Sequence, residues 1–200
     1  MAVVSSFLSF PPVSWWMRVA KEDSLLLDSA GNYVKMGHRN RYLISGANNP
    51  VLLTVPLASG RDQRAAMKDV RIYNEEKWQL RHWRTLESVY KRSPYFEHYE
   101  DSLKLLFDTP YEYLTDFNKA GIIWVKAQLK LPFIIQETDV YEKEYSGYTD
   151  LRHEKDIQVN TPRYHQVFED RIGFQPDLSI LDMLFSEGPQ AADLLKGKGK

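Results

Sequence analysis

The first 28 residues restrict the fold more than any other stretch. Ala2 to Phe10 is an apolar, β-rich run that stops at Pro11-Pro12. Proline fixes φ and lacks an amide hydrogen, so it ends a strand and suits the first turn of a helix. Val13 to Glu22 follows as the predicted helix, and Ser24 to Asp28, carrying Leu25-Leu26-Leu27, reads as a second buried strand. Strand, helix, strand with an apolar second strand is the opening of a parallel α/β unit.

The rest of the chain reads as follows. Tyr33 to Ile44 is polar and basic, either a strand with exposed ends or a loop. Asn48-Asn49-Pro50 signals a turn, and Val51 to Leu57 is a strand whose Pro56 sits at an edge or an end. Ser59 to Arg64 is a loop, and Asp69 to Tyr73 alternates as a strand does. Asn74 is an expected N-cap for a helix from Glu75 to Lys91 that buries Trp78, Leu86, Val89 and Tyr90. Further helices are expected from Ser93-Pro94 to Phe107 and from Thr109-Pro110 to Leu129. Phe133 to Thr138 is a strand, and Asp139 to Lys155 a Tyr- and charge-rich connection. Glu187-Gly188-Pro189 separates two short helices, Ser179 to Phe185 and Pro189 to Leu195. The expected class is α/β, in a single domain over 1–195. Its N-terminal part is strand-rich, and its middle and C-terminal part are helical. Residues 196–200 are expected to form a flexible basic tail.

Composition narrows function mainly by exclusion. A net charge of −1, from 26 basic and 27 acidic residues, gives no global field for nucleic acid or an anionic membrane. The chain has no cysteine, which removes thiolate zinc sites and cysteine nucleophiles and fits a reducing cytoplasm. The apolar start carries no Lys or Arg before Arg18, which argues against a signal peptide, and no apolar stretch is long enough for a membrane span. Five Trp, twelve Tyr and nine Phe supply either an aromatic core or a cleft lined by rings.

A set of short motifs recurs in order along the chain. It runs Phe10-Pro11-Pro12, Arg39-Asn40-Arg41, Leu53-Thr54-Val55-Pro56, Trp78 with His82-Trp83, and Pro94-Tyr95-Phe96. Tyr164, Gln166 and Phe168 follow, and Leu178-Ser179-Ile180-Leu181-Asp182 ends the set. With this set the chain resembles the WbqC-like protein family of bacteria. The resemblance implies surface-polysaccharide (O-antigen) biosynthesis and the handling of a nucleotide- or lipid-linked sugar. It carries over no catalytic residues.

Three constellations can carry chemistry. Lys35, His38, Arg39, Asn40 and Arg41 lie within seven residues. On an extended strand Lys35, Arg39 and Arg41 share one face, and His38 and Asn40 the other. Arginine's planar fork suits phosphate, so the cluster is a candidate phosphate seat; the other reading is a solvated basic strand edge. His82 stands four residues from both Trp78 and Leu86, on the apolar face of its helix. It is either a base with a pKa lowered by burial or a core histidine bonded to a carbonyl. Tyr164 and Gln166 are candidate ligand donors with His165 as an alternative base, while Ser179 and Asp182 are more simply a helix start.

Absent motifs count as well. There is no Gly-x-Gly-x-x-Gly, no P-loop, no histidine pair at i, i+4 and no Asp-x-Asp. His98 beside Glu100-Asp101, and His153 beside Glu154, read as solvated charge. No metal site and no particular cofactor is indicated. The expected activity is a transferase acting on a phosphorylated sugar. The alternative is a scaffold in a biosynthetic complex, contacting protein partners through Trp15-Trp16 and the Tyr141 to Tyr148 stretch.

Overall fold

The computed structural model describes residues 1–60, 63–153 and 160–197. Its centre is a four-stranded parallel sheet of order β5-β2-β1-β6. Strand β1 is Ala2–Ser6, β2 is Ser24–Asp28, β5 is Ile134–Thr138 and β6 is Tyr148–Asp150. Helix α1, Val13–Val19, makes the crossover from β1 to β2. The registers run Ala2 against Ser24, Ser24 against Ile134, and Ala2 against Tyr148, so the four strands point the same way. After β5 the chain returns to pair β6 on the far side of β1. The strand order therefore reverses at β1.

Between β2 and β5 the chain builds an antiparallel hairpin and three long helices. The hairpin is β3, Arg41–Ile44, paired with β4, Val51–Thr54. Helices α2, Trp78–Tyr90, α3, Phe96–Asp108, and α4, Leu114–Gln128, follow. The chain ends with α5, Glu169–Ile172, α6, Ile180–Glu187, and α7, Ala191–Leu195. The parallel α/β class read from residues 2–28 is what is observed.

The core is aromatic. Phe10, Tyr42, Trp78 and Phe117 meet largely edge to face, with Phe10 to Tyr42 at 5.1 Å and Trp78 to Phe117 at 5.1 Å between ring centres. Such pairs add about 0.5–1.5 kcal/mol each beyond their buried area. Trp15 and Trp16 belong to this core and have no exposed surface. The contact surface expected at these two tryptophans is therefore corrected, because α1 turns both rings inward. Of the rings expected to line a cleft, Tyr141 borders a cavity.

Other departures have local causes. Residues 33–40 form a loop of turns and bends, so the alternation expected through Lys35, Arg39 and Arg41 begins only at Arg41. The strand expected over Asp69 to Tyr73 is a 3-10 turn, Met67–Asp69, followed by isolated bridges at Arg71 and Ile72. Asn74 does not cap α2. Its Oδ1 accepts from Trp78 Nε1 at 3.2 Å, its Nδ2 donates to the Tyr111 carbonyl, and Lys77 is the N-cap. Of the expected basic tail, 198–200 lie outside the described residues, as does Glu154.

Candidate functional site

A cavity of about 380 Å³ opens at the carboxyl ends of β1 and β2, beside the end of β6. Ser6, Asp28, Gly31, Asn32, Arg39, Tyr141, Arg152 and His153 are among its walls. In open parallel sheets ligands bind at the carboxyl edge, where the strand order reverses. The cavity sits at that position.

Asp28 ends β2 and is buried. Its Oδ1 accepts from the amides of Ala30 and Gly31 at 2.9 and 3.0 Å, which turns the chain sharply after the strand. Its Oδ2 accepts from Arg152 Nη1 at 3.1 Å. Arg152 spends all five of its N–H donors. Nε goes to the Asp150 carboxylate, and Nη1 to Asp28 and the Glu142 carbonyl. Nη2 goes to Asp150 at 2.6 Å and to the Lys143 carbonyl at 3.0 Å. The rings of Tyr145 and Tyr141 lie 4.8 and 5.7 Å from the guanidinium carbon. The Asp150 and Asp28 carboxylates hold the Arg152 charge more firmly than an ordinary arginine's. Arg152 is thus a strut that ties β2, β6 and the 140–145 segment together. Asp28 and Asp150 outweigh its charge, and Arg39 is a second cation among the walls.

Arg39 is 6% exposed and lines the cavity; its Nη2 donates to the Arg152 carbonyl at 3.1 Å. Its backbone is fixed from the core. The Arg39 carbonyl accepts from Ser9 Oγ at 2.9 Å and from Asn118 Nδ2 at 2.7 Å. The flanking carbonyls of His38 and Asn40 accept from the amides of Ser9 and Val55, each at 2.8 Å. Asn40 is itself buried, accepting from Tyr33 Oη and donating to the Val55 carbonyl, both at 2.9 Å. It positions its neighbours and does not face the cavity. Lys35 is exposed on the same loop, and Arg41 Nε reaches back to the Gly37 carbonyl. His38 and Arg41 are not among the cavity walls.

His82 lies in the aromatic core. Its Nδ1 meets Tyr42 Oη at 2.9 Å and its Nε2 meets the Thr54 carbonyl at 3.1 Å. The carbonyl can only accept, so Nε2 carries the hydrogen and Nδ1 accepts from the tyrosine. Burial lowers its pKa to about 4. Both nitrogens are occupied.

The C-terminal motif residues form a closed polar knot. Asp182 is buried and accepts from Tyr90 Oη at 2.6 Å and Tyr164 Oη at 2.8 Å. Gln166 donates to Tyr164 Oη and to the Gln175 carbonyl, and accepts from the Gln175 amide at 2.7 Å. The Ser45 amide donates to Tyr90 Oη. Burial lifts the Asp182 carboxyl to about 6 despite the two tyrosine hydroxyls that donate to it. Ser179 caps α6 and donates to the Phe10 carbonyl at 2.9 Å. His165 is exposed, and its amide donates to Glu187. Ser179, Asp182 and His165 do not form a relay.

The structure therefore brings Arg39 to a cavity and leaves His82, Asn40, Tyr164 and Gln166 within the packing. It adds Asp28 and Arg152, which the residue pattern did not single out, together with Tyr141, read from sequence as part of a partner-contact stretch, and His153, read as solvated charge. One signal was present for Asp28, a carboxylate closing an apolar parallel strand. Among the described residues no group of three or more His, Asp or Glu converges as a metal site, and no helix is long and apolar enough to cross a membrane.

An α/β domain with its cavity at the carboxyl edge of a parallel sheet is the class this geometry defines. Residues 8–154 match the WbqC-like protein family, so the chain belongs to it. The match includes every wall of the cavity except Ser6 and stops short of the Tyr164 to Phe185 segment. No curated protein and no solved structure matches the chain.

Proposed function

We propose that this WbqC-like protein is a transferase of surface-polysaccharide (O-antigen) assembly that holds a phosphorylated sugar donor or acceptor in the carboxyl-edge cavity. Arg39 is the phosphate ligand. The observation that carries this reading is a family-motif arginine, more than nine-tenths buried, lining a cavity at the reversal point of the sheet. A guanidinium fixed by its own backbone loses little entropy on binding, and its fork suits a phosphate edge. Lys35, exposed on the same loop, adds attraction at longer range.

In this reading His153 supplies the proton transfer, since it is the histidine among the cavity walls. His82 and His165 take no part, and Asn40, Tyr164 and Gln166 hold the loops around the seat. The cysteine-free chain is consistent with action in the cytoplasm.

Titration calorimetry with pyrophosphate tests the seat. Arg39→Ala should weaken binding about 10- to 100-fold, or about 1.5–3 kcal/mol, the range for charge-assisted hydrogen bonds. Equal affinity in parent and variant would remove Arg39 from the site.

A further inference from the structure

Tyr141 is the wall of the cavity that the phosphate reading leaves unexplained. The residue is 59% exposed, which is unusual for a large side chain in a chain that buries most of its aromatics. It is nevertheless well anchored. The next two carbonyls, of Glu142 and Lys143, accept from Arg152 at 2.8 and 3.0 Å. The preceding carbonyl, of Val140, accepts from Tyr145 Oη at 3.0 Å. Tyr141 itself rests against the Arg152 guanidinium. The ring is thus presented at the cavity by a backbone held on both sides, and little ordering cost remains for a ligand.

The other walls suit one particular kind of ligand. Val34, also half exposed, adds a second apolar surface from the loop after β2. Asn32 supplies both a donor and an acceptor, and Ser6 a hydroxyl. An aromatic platform with an apolar neighbour and amide edges suits a flat heterocycle, which stacks on one face and hydrogen-bonds at its rim. A volume of about 380 Å³ lies near the lower end of the ~300–1,000 Å³ range of small-molecule pockets. That accommodates a mononucleotide, whereas a long lipid tail would have to lie outside.

We infer that the cavity takes a nucleoside diphosphate, with the base stacked on Tyr141 and the diphosphate on Arg39. The inference rests on the proposed phosphate seat and narrows its ligand from a phosphorylated sugar of either kind to the nucleotide-linked kind.

The test is calorimetric titration with uridine diphosphate, adenosine diphosphate, pyrophosphate and farnesyl diphosphate. The proteins are the parent, Tyr141→Ala, Tyr141→Phe and Arg39→Ala. The expected result is that at least one nucleotide binds about tenfold or more tighter than pyrophosphate, the worth of one stacked base. Tyr141→Ala should erase that margin and leave pyrophosphate binding unchanged, and Tyr141→Phe should keep it. Nucleotides no tighter than pyrophosphate, an equal loss for both in Tyr141→Ala, or farnesyl diphosphate as the tightest ligand would each overturn the inference. None of these results touches the phosphate seat if pyrophosphate binding still falls in Arg39→Ala. Absence of binding by all four compounds overturns both readings.

Discussion

The carboxyl-edge cavity and the knot around Asp182 both bury carboxylates beside tyrosines and amides, yet they use them in different ways. In the knot the donors and acceptors close on one another. Asp182 takes two phenols, Gln166 binds a tyrosine and its partner Gln175, and Asp182, Gln166 and Tyr164 are all buried. The cavity's groups border a volume instead. Arg152 is saturated, and Arg39, Tyr141 and His153 line space a ligand can fill. A buried polar motif thus marks a site only where it borders a volume. By that criterion the knot, whose Tyr164, Gln166 and Asp182 lie beyond the family match, is scaffold.

The comparison can be broken most forcefully at Arg152. Arg152→Met strands two carboxylates, one of them the buried Asp28, and should cost about 3–5 kcal/mol in urea unfolding. It should also erase the margin by which a nucleotide binds tighter than pyrophosphate, because the segment bearing Tyr141 loses its anchor. An intact margin in a folded variant would mean that the cavity does not depend on its strut.

The knot and the core histidine can be separated by pH. The folded Asp182 carboxyl sits near 6, against about 3.9 in an unfolded chain. Its proton is held more tightly in the folded state. The contribution is therefore complete below pH ~4 and disappears as pH rises through about 6. His82 runs the other way, with a folded value near 4 against about 6.5 unfolded. Its contribution is complete above pH ~6.5 and is lost as pH falls toward about 4. In the parent the two slopes oppose each other over much of the same window. In His82→Gln, the stability deficit relative to parent should be largest at pH 7 and shrink by about 3 kcal/mol by pH 4. In Asp182→Asn the deficit should be largest at pH 4 and shrink by about 2–3 kcal/mol by pH 7. Unfolding curves at the two pH values decide the matter; deficits that do not vary with pH would mean neither group titrates as its burial demands. Both variants should keep pyrophosphate affinity per folded molecule.

The smallest expected effect is at His165. It is exposed, so His165→Ala should change stability by less than about 0.5 kcal/mol and leave binding intact. A clear loss of ligand affinity would move the site toward the C-terminal motif.

Much of the scaffold was legible because its causes are local. Strand β2 was bounded correctly by Leu25-Leu26-Leu27 and a polar residue at each end, and α1 begins where Pro11-Pro12 says it should. Strand β6 was missed because Tyr148–Asp150 is three residues long in a charged stretch, and only pairing with β1 makes it a strand. The site divides in the same way. Arg39 was visible as a dense basic motif. The strut was not, since Arg152 meets Asp28 across 124 residues of chain. His82 was legible as a choice between base and core residue, and only the Thr54 carbonyl and the Tyr42 hydroxyl decide it.

Three successive carbonyls, of His38, Arg39 and Asn40, are tied to the β1–α1 loop, to α4 and to the stretch after β4. To move this backbone is to break those bonds, each worth about 1 kcal/mol. Capture of a ligand by Arg39 is then a matter of side-chain rotation, on the picosecond-to-nanosecond scale, with no slow closure of this loop to gate it. Asn118, far along the chain on α4, becomes the distant regulator of that stiffness. Softening it would exchange a preformed receptor for one that must be shaped by its guest, and the change would register as a slower on-rate before it registered as altered chemistry.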